Sequence, residues 1–207
     1  MQTQTQQFFV TGIDTGIGKT VVSACLVKYL QADYWKPIQS GDLDYSDSMK
    51  VNEWTNKEAT IFPERYALQI PASPHESAER EGISMSLEDF SLPQTSNNLI
   101  VEGAGGLFVP INSSKYIIDL IDRLKLPVIL VTKNYLGCIN HTLLAIEALR
   151  SRQIPLAYLV LNGEFNQYSL NAIQAFVDDN TQLISLPTLE EVSEETITYL
   201  SSTITLK

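Results

Sequence analysis

Gly16-Ile17-Gly18-Lys19-Thr20 places an amine and a hydroxyl directly behind two glycines. That arrangement suits a phosphate: backbone N–H groups wrap the anion and the start of a helix faces it. In such a loop Lys19 reaches the β/γ-phosphates and the Thr20 hydroxyl ligates Mg²⁺. The common spacing G-x-x-x-x-G-K-[ST] asks for glycine at position 13, where this chain has Ile13. Gly12 stands one residue early, so the loop is a P-loop variant. A second group centres on Glu102, which ends the apolar run Leu99-Ile100-Val101 and enters Gly103-Ala104-Gly105-Gly106. An acidic residue there can help hold Mg²⁺, and the glycines allow close backbone approach. Lys36 stands between Trp35 and Pro37 at a strand end, either to meet a phosphate or developing negative charge, or to reach solvent along its apolar stem. Asp47 shares a polar segment with Asp42 and Asp44, and spacing does not choose among the three. His75 and His141, the only histidines, have no metal-ligand pattern. Cys138 and His141 are three apart, but no residue is identifiable that would orient a thiol catalyst. Leu136-Gly137-Cys138-Ile139-Asn140 offers free N–H groups at a helix start, suited to a carboxylate or phosphate.

These groups need elements to position them. Phe8-Phe9-Val10-Thr11 reads as a strand leading into the loop, and a helix continues through Leu30. Tyr34-Trp35-Lys36-Pro37-Ile38 reads as one short strand, with Pro37 at its end or edge. Residues 44–55 are polar with weak helical spacing. Residues 56–96 are the least regular, broken by Pro63, Pro71, Pro74 and Pro93, with a short helix at 76–81. Strands follow at 98–102, 127–131, 156–161 and 183–186, alternating with helices at 116–124, 140–150, 169–178 and 196–203. Apolar strands alternating with helices predict an α/β fold: a mostly parallel sheet with helices on both faces, a P-loop NTPase-like three-layer architecture in one domain over 1–207. Ligands in such sheets bind beyond the carboxyl ends of the strands, and residues 12–20, 36–40, 102–105, 132–140 and Asn162 all follow strand ends.

With 207 residues, 44% apolar and 18% charged, the chain has a globular composition. A net charge of −10 argues against nucleic acid as a partner. It also requires a bound nucleotide to be offset locally, by Lys19, Mg²⁺ and further cations. Two cysteines, Cys25 and Cys138, make no disulfide framework, which suits a reducing compartment. Residues 1–7 lack a leader pattern, and no apolar run approaches the ~18–20 residues of a membrane span. The expectation is a cytoplasmic protein without a membrane partner.

Five blocks, in order along the chain, resemble the dethiobiotin synthetase family. They are Phe9-Val10-Thr11-Gly12-Ile13-Asp14-Thr15 with Gly18-Lys19-Thr20; Tyr34-Trp35-Lys36-Pro37-Ile38-Gln39-Ser40-Gly41; Ser73-Pro74-His75; Val101-Glu102-Gly103-Ala104-Gly105-Gly106-Leu107; and Leu136-Gly137-Cys138-Ile139-Asn140-His141. The resemblance implies reaction of ATP, CO₂ and 7,8-diaminononanoate through a carbamate and a carbamic-phosphoric anhydride to a cyclic urea, ADP and phosphate. It implies Mg²⁺ held by Thr20, Asp47 and Glu102, with Lys19 and Lys36 as the catalytic lysines. It assigns Thr15, Gly16, Ile17, Gly18, Val21, Gly103, Ala104, Gly105, Asn162, Pro187, Thr188 and Leu189 to the nucleotide site. Thr15, Lys36 and Ser40 would contact the diamine, and the Gly137, Cys138, Ile139 and Asn140 segment the substrate carboxylate from a neighbouring subunit, implying a homodimer. Some relatives carry Glu where this chain has Gly16, and residues 42–96 diverge most. The alternative is a regulatory P-loop ATPase that binds a protein partner. Its loop usually carries an earlier lysine, at the position of Asp14 here.

Overall fold

The structure, a computed structural model, describes residues 5–206; the first four residues of the stretch read above for a leader lie outside the described residues. Among the described residues nine strands form: β1 (Gln7–Gly12), β2 (Asp33–Trp35), β3 (Ile38–Ser40), β4 (Ile61–Phe62), β5 (Tyr66–Leu68), β6 (Leu99–Gly106), β7 (Val128–Lys133), β8 (Leu156–Asn162) and β9 (Gln182–Leu186). Seven α-helices accompany them in the same residues: α1 (Lys19–Leu30), α2 (Asp47–Trp54), α3 (Pro74–Arg80), α4 (Ile117–Leu124), α5 (Cys138–Ser151), α6 (Gln167–Gln174) and α7 (Glu194–Thr203). None of the helices among the described residues is long and apolar enough to cross a membrane.

The main sheet is parallel throughout, in the order β4-β2-β6-β1-β7-β8-β9. Side chains alternate across it with the period of a strand. Phe8 and Val10 join Tyr34, Ile100, Ile129 and Val160 in a layer under α1, α2 and α7. Phe9 joins Leu99, Val101, Leu130 and Leu159 in the opposite layer, under α3, α4, α5 and α6. Each Leu or Ile sealed in these layers contributes roughly 1.5–3 kcal/mol relative to exposure. Because both faces are covered, the strands carry apolar residues on both sides rather than on alternate positions.

One expectation is corrected here. The run 34–38 is not one strand: β2 pairs with β4 and β6 in the main sheet, whereas β3 pairs with β5 in a separate two-stranded sheet. Pro37 has no N–H to continue the ladder, and its carbonyl instead accepts from Arg65 N at 2.9 Å and Tyr66 N at 3.0 Å. Lys36 therefore sits at the step between the sheets. Several boundaries also move; the helix expected over 169–178, for one, spans Gln167–Gln174. β6 continues past Glu102 because Gly106 pairs with Gly12, and α5 starts at Cys138, behind Gly137 in the left-handed region (φ 102°).

At the opposite end of β2 the buried Asp33 carboxylate ties two loops together. It accepts from Thr95 Oγ1 at 2.6 Å, Asn97 Nδ2 at 3.2 Å and Thr60 N at 3.2 Å. Burial alone would raise its pKa, but the bonds from Thr95, Asn97 and Thr60 hold it below the ordinary 3.8. A depressed carboxyl stabilises the fold above its unfolded value, and that stabilisation disappears as pH falls through the folded value. Asp33→Ala should cost about 2–3 kcal/mol in urea unfolding at pH 7, with the gap from wild type narrowing below pH 3.8. A gap independent of pH would show that the carboxylate charge is not what holds these loops.

Candidate active site

Between β1 and α1 the loop turns back on itself, and the early glycine has a steric reason. A Cβ at position 12 would lie 2.2 Å from Ile17 Cδ1, so the buried Ile17 can pack onto the strand end only because residue 12 has no side chain. Gly18, in the left-handed region (φ 90°), leads into α1. A Cβ on Gly18 would fall 2.3 Å from Asn162 Nδ2. That amide donates to the Ile17 carbonyl at 2.7 Å, tying the end of β8 to the loop.

Behind the loop six polar side chains converge: Lys36 directly after β2, Tyr34 within it, Glu102 midway along β6, Thr20 on α1, and Asp47 and Lys50 on α2. Lys36 Nζ lies 2.7 Å from Asp47 Oδ2 and 3.1 Å from Glu102 Oε1. Thr20 Oγ1 donates to the same Glu102 oxygen at 3.0 Å, and Tyr34 donates its hydroxyl to Glu102 Oε2 at 3.0 Å. Asp47 Oδ1 also meets Lys50 Nζ at 3.2 Å. Glu102 has no exposed surface and Lys36 only 4%. Burial alone would lower the Lys36 pKa, but Glu102 and Asp47 outweigh it and raise the amine above its ordinary 10.5, so it stays charged. For Asp47, burial would raise the carboxyl, and Lys36 and Lys50 reverse this, holding it low. Lys19 differs. Among the described residues it donates only to the Asp14 carbonyl, at 2.9 Å, and burial draws its pKa down to about 8 despite Glu102 and Asp47 nearby.

All of these side chains except Tyr34 border a cleft of about 700 Å³ that also takes in Thr15, Gly16, Val21, Ser40, Ala104 and Gly105. Ser40 presents a buried hydroxyl with no hydrogen-bond partner among the described residues. The donor set suits Mg²⁺ by its chemistry. Hard oxygens are its preferred ligands, it needs only one or two carboxylates beside phosphate and water, and adjacent ligands on an octahedral ion stand roughly 3 Å apart. Thr20 and Glu102 offer two oxygens at 3.0 Å. Of the three aspartates between positions 42 and 47, Asp47 is the one on Lys36. Asp42 borders the cleft and Asp44 is exposed.

A protein-family profile described as an AAA domain matches residues 6–196. The ATP-dependent dethiobiotin synthetase BioD of Christiangramia forsetii is 50% identical over 160 residues, 77% of each chain. Its counterpart in Rhodopseudomonas palustris strain BisB18 is 42% identical over 194 residues, 93% of this chain and 92% of that one. The chain belongs to the dethiobiotin synthetase family. Among solved structures, a ParA family ATPase from Chlorobium tepidum matches with a TM-score of 0.55 at 11% identity, over 97% of this chain and 93% of that one. A plasmid partition protein from Borrelia burgdorferi, bound to AMPPNP, matches at 0.51 and 9% identity, over 97% and 99%. At such identities the likeness is one of fold, and that fold is P-loop NTPase-like.

Other family positions lie outside the main cleft. Ile17 and Gly103 are buried beneath its lining. Asn162 ends β8, where Gly163 N donates to the Leu186 carbonyl at 2.8 Å and so joins β8 to the loop carrying Pro187, Thr188 and Leu189. Pro187 borders a hollow of about 380 Å³ with Gly163, Glu164 and Phe165. Gly137, Cys138, Ile139 and Asn140 face a different opening, of about 640 Å³, shared with Asn134, Asn166 and Ser169. One chain does not bring that segment to the Lys36 cleft. Two site residues were not legible as such. Lys50 follows Asp47 at i+3 on α2, a spacing that signals a pair. Tyr34 gives no such signal, because its partner Glu102 is 68 positions away.

Proposed function

We propose that the protein is a cytoplasmic dethiobiotin synthetase, one domain over 1–207, that uses MgATP and CO₂ to close 7,8-diaminononanoate into a cyclic urea. The observation that carries this reading is the Lys36 amine, buried and charged between Asp47 and Glu102 at the edge of the P-loop cleft. In this reading one substrate amine adds CO₂ and loses a proton to give a carbamate. A carbamate oxygen attacks the γ-phosphorus of ATP, forming a carbamic-phosphoric anhydride and releasing ADP. The second amine attacks the anhydride carbonyl, phosphate leaves, and the ring closes. None of these steps requires a protein nucleophile, so positioning and charge stabilisation are the protein's task.

Each side chain then has a role. Lys36 stabilises the carbamate and the phosphoryl group in flight, and Lys19 with the N–H groups of the loop holds the β- and γ-phosphates. Thr20, Asp47 and Glu102 would hold Mg²⁺, which would offset the negative charge of the phosphates. Thr15 and Ser40 meet the diamine. Asn162 and the loop at Pro187, Thr188 and Leu189 receive the nucleoside end. Gly137, Cys138, Ile139 and Asn140 would bind the substrate carboxylate across a homodimer interface, which fits their distance from the cleft of their own chain.

The test is phosphate release from MgATP and bicarbonate, with and without 7,8-diaminononanoate. Release that depends on the diamine, with a cyclic urea detected by mass, is the expected result. Release indifferent to the diamine, or appearing only when a protein partner is added, would replace the synthetase by a regulatory ATPase.

A further inference from the structure

Glu102 uses its two oxygens differently. Oε1 is shared by Lys36 Nζ at 3.1 Å and Thr20 Oγ1 at 3.0 Å, both from residues that border the cleft. Oε2 accepts from the hydroxyl of Tyr34 at 3.0 Å. Tyr34 does not border the cleft: it has no exposed surface and packs with Val10, Ile100 and Ile129 in the apolar layer beneath α1. A cation entering from the cleft therefore meets Oε1, while Oε2 is held toward the protein interior by a donor that cannot move without disturbing the core.

This asymmetry matters to the choice of cation. Ca²⁺ takes six to eight oxygens at about 2.3–2.6 Å and readily accepts both oxygens of one carboxylate. Mg²⁺ takes six at about 2.0–2.1 Å in near-octahedral array and holds its shape strictly. A carboxylate limited to one oxygen serves the second ion and underserves the first. We propose that Tyr34 is a positioning residue that restricts Glu102 to one-oxygen ligation, so that the site favours Mg²⁺ over Ca²⁺. This rests on the reading of Glu102 as a metal ligand.

Tyr34→Phe removes one oxygen and keeps the ring, so the core packing is preserved while Oε2 is released. Titration calorimetry on the full chain would compare preformed Mg²⁺ and Ca²⁺ complexes of a non-hydrolysable ATP analogue, in wild type, Y34F and E102Q. In Y34F the ratio of Mg²⁺-complex to Ca²⁺-complex affinity should fall at least about fivefold, as expected when a strong hydrogen bond to a charged group is lost. A role in packing alone would weaken both complexes equally and leave the ratio unchanged, which would overturn the proposal. If E102Q weakens the Mg²⁺ complex while Y34F keeps the wild-type ratio, Glu102 remains a ligand and only the role of Tyr34 fails. If E102Q binds the Mg²⁺ complex as wild type does, Glu102 is not a ligand and both readings fall. Cooperative thermal unfolding of Y34F, recorded without metal, establishes that the variant compared is folded.

Discussion

Lys36→Met should lower kcat by at least about 100-fold while leaving the affinity for a non-hydrolysable ATP analogue within a few-fold of wild type. Loss of one preorganised donor at a developing charge costs on the order of 10²–10³ in rate, and a loss made only in the transition state shows in kcat rather than in binding. Methionine keeps most of the volume of the lysine stem. The ammonium it removes lies 2.7 Å from Asp47 and 3.1 Å from Glu102, both of which retain other donors: Lys50 for Asp47, and Thr20 and Tyr34 for Glu102. The two carboxylates are thus not left bare, and bound Mg²⁺ would further separate their charges. Steady-state turnover together with calorimetric binding separates the two effects. Turnover near wild type would remove Lys36 from the mechanism. A parallel loss of nucleotide affinity would make it a structural counter-ion instead.

Lys19→Met should act in the opposite way, weakening binding of the MgATP analogue on the order of 100-fold. Lys19 is buried at 7% exposure and, among the described residues, donates only to a backbone carbonyl of its own loop. Two charge-assisted bonds to phosphate at about 1.5 kcal/mol each amount to roughly this factor. The substitution also leaves the Asp14 carbonyl without its 2.9 Å partner, so the loop itself loosens. Calorimetry with the nucleotide analogue reads the effect directly. An affinity within threefold of wild type would mean that the backbone N–H groups alone hold the phosphates. The pair of variants is more telling than either one: two lysines bordering the same cleft, one governing binding and the other turnover.

How much of this was legible beforehand depended on the range over which each signal acts. The run from Phe8 to Thr20 reads locally as strand, loop and helix, because strand period, glycine placement and the start of a helix are short-range properties. The same holds for the alternation of apolar strands and helices, which by itself determines a parallel sheet covered on both faces. Residue types and their order along five blocks were enough to indicate the family, and Lys19, Thr20, Lys36 and Glu102 stand out by type at strand ends.

The tertiary structure alone decided the rest. Spacing leaves Asp42, Asp44 and Asp47 equivalent and only the family resemblance points to Asp47; the docking of α2 beside β2 is what brings it to Lys36. The step of the chain at Pro37 from one sheet to another could not be read from a five-residue apolar run. It depends on where the Pro37 carbonyl finds Arg65 and Tyr66, after residues 41–64, α2 and β4 among them, have folded back. Tyr34 looked like one more apolar strand residue, and became a partner of Glu102 because β2 and β6 lie side by side. The sequence determined which chemical groups are available and which local frames carry them. Which of those groups meet is settled by long-range packing, since the energy of a buried ion pair depends on distances of a few ångströms that no local pattern encodes.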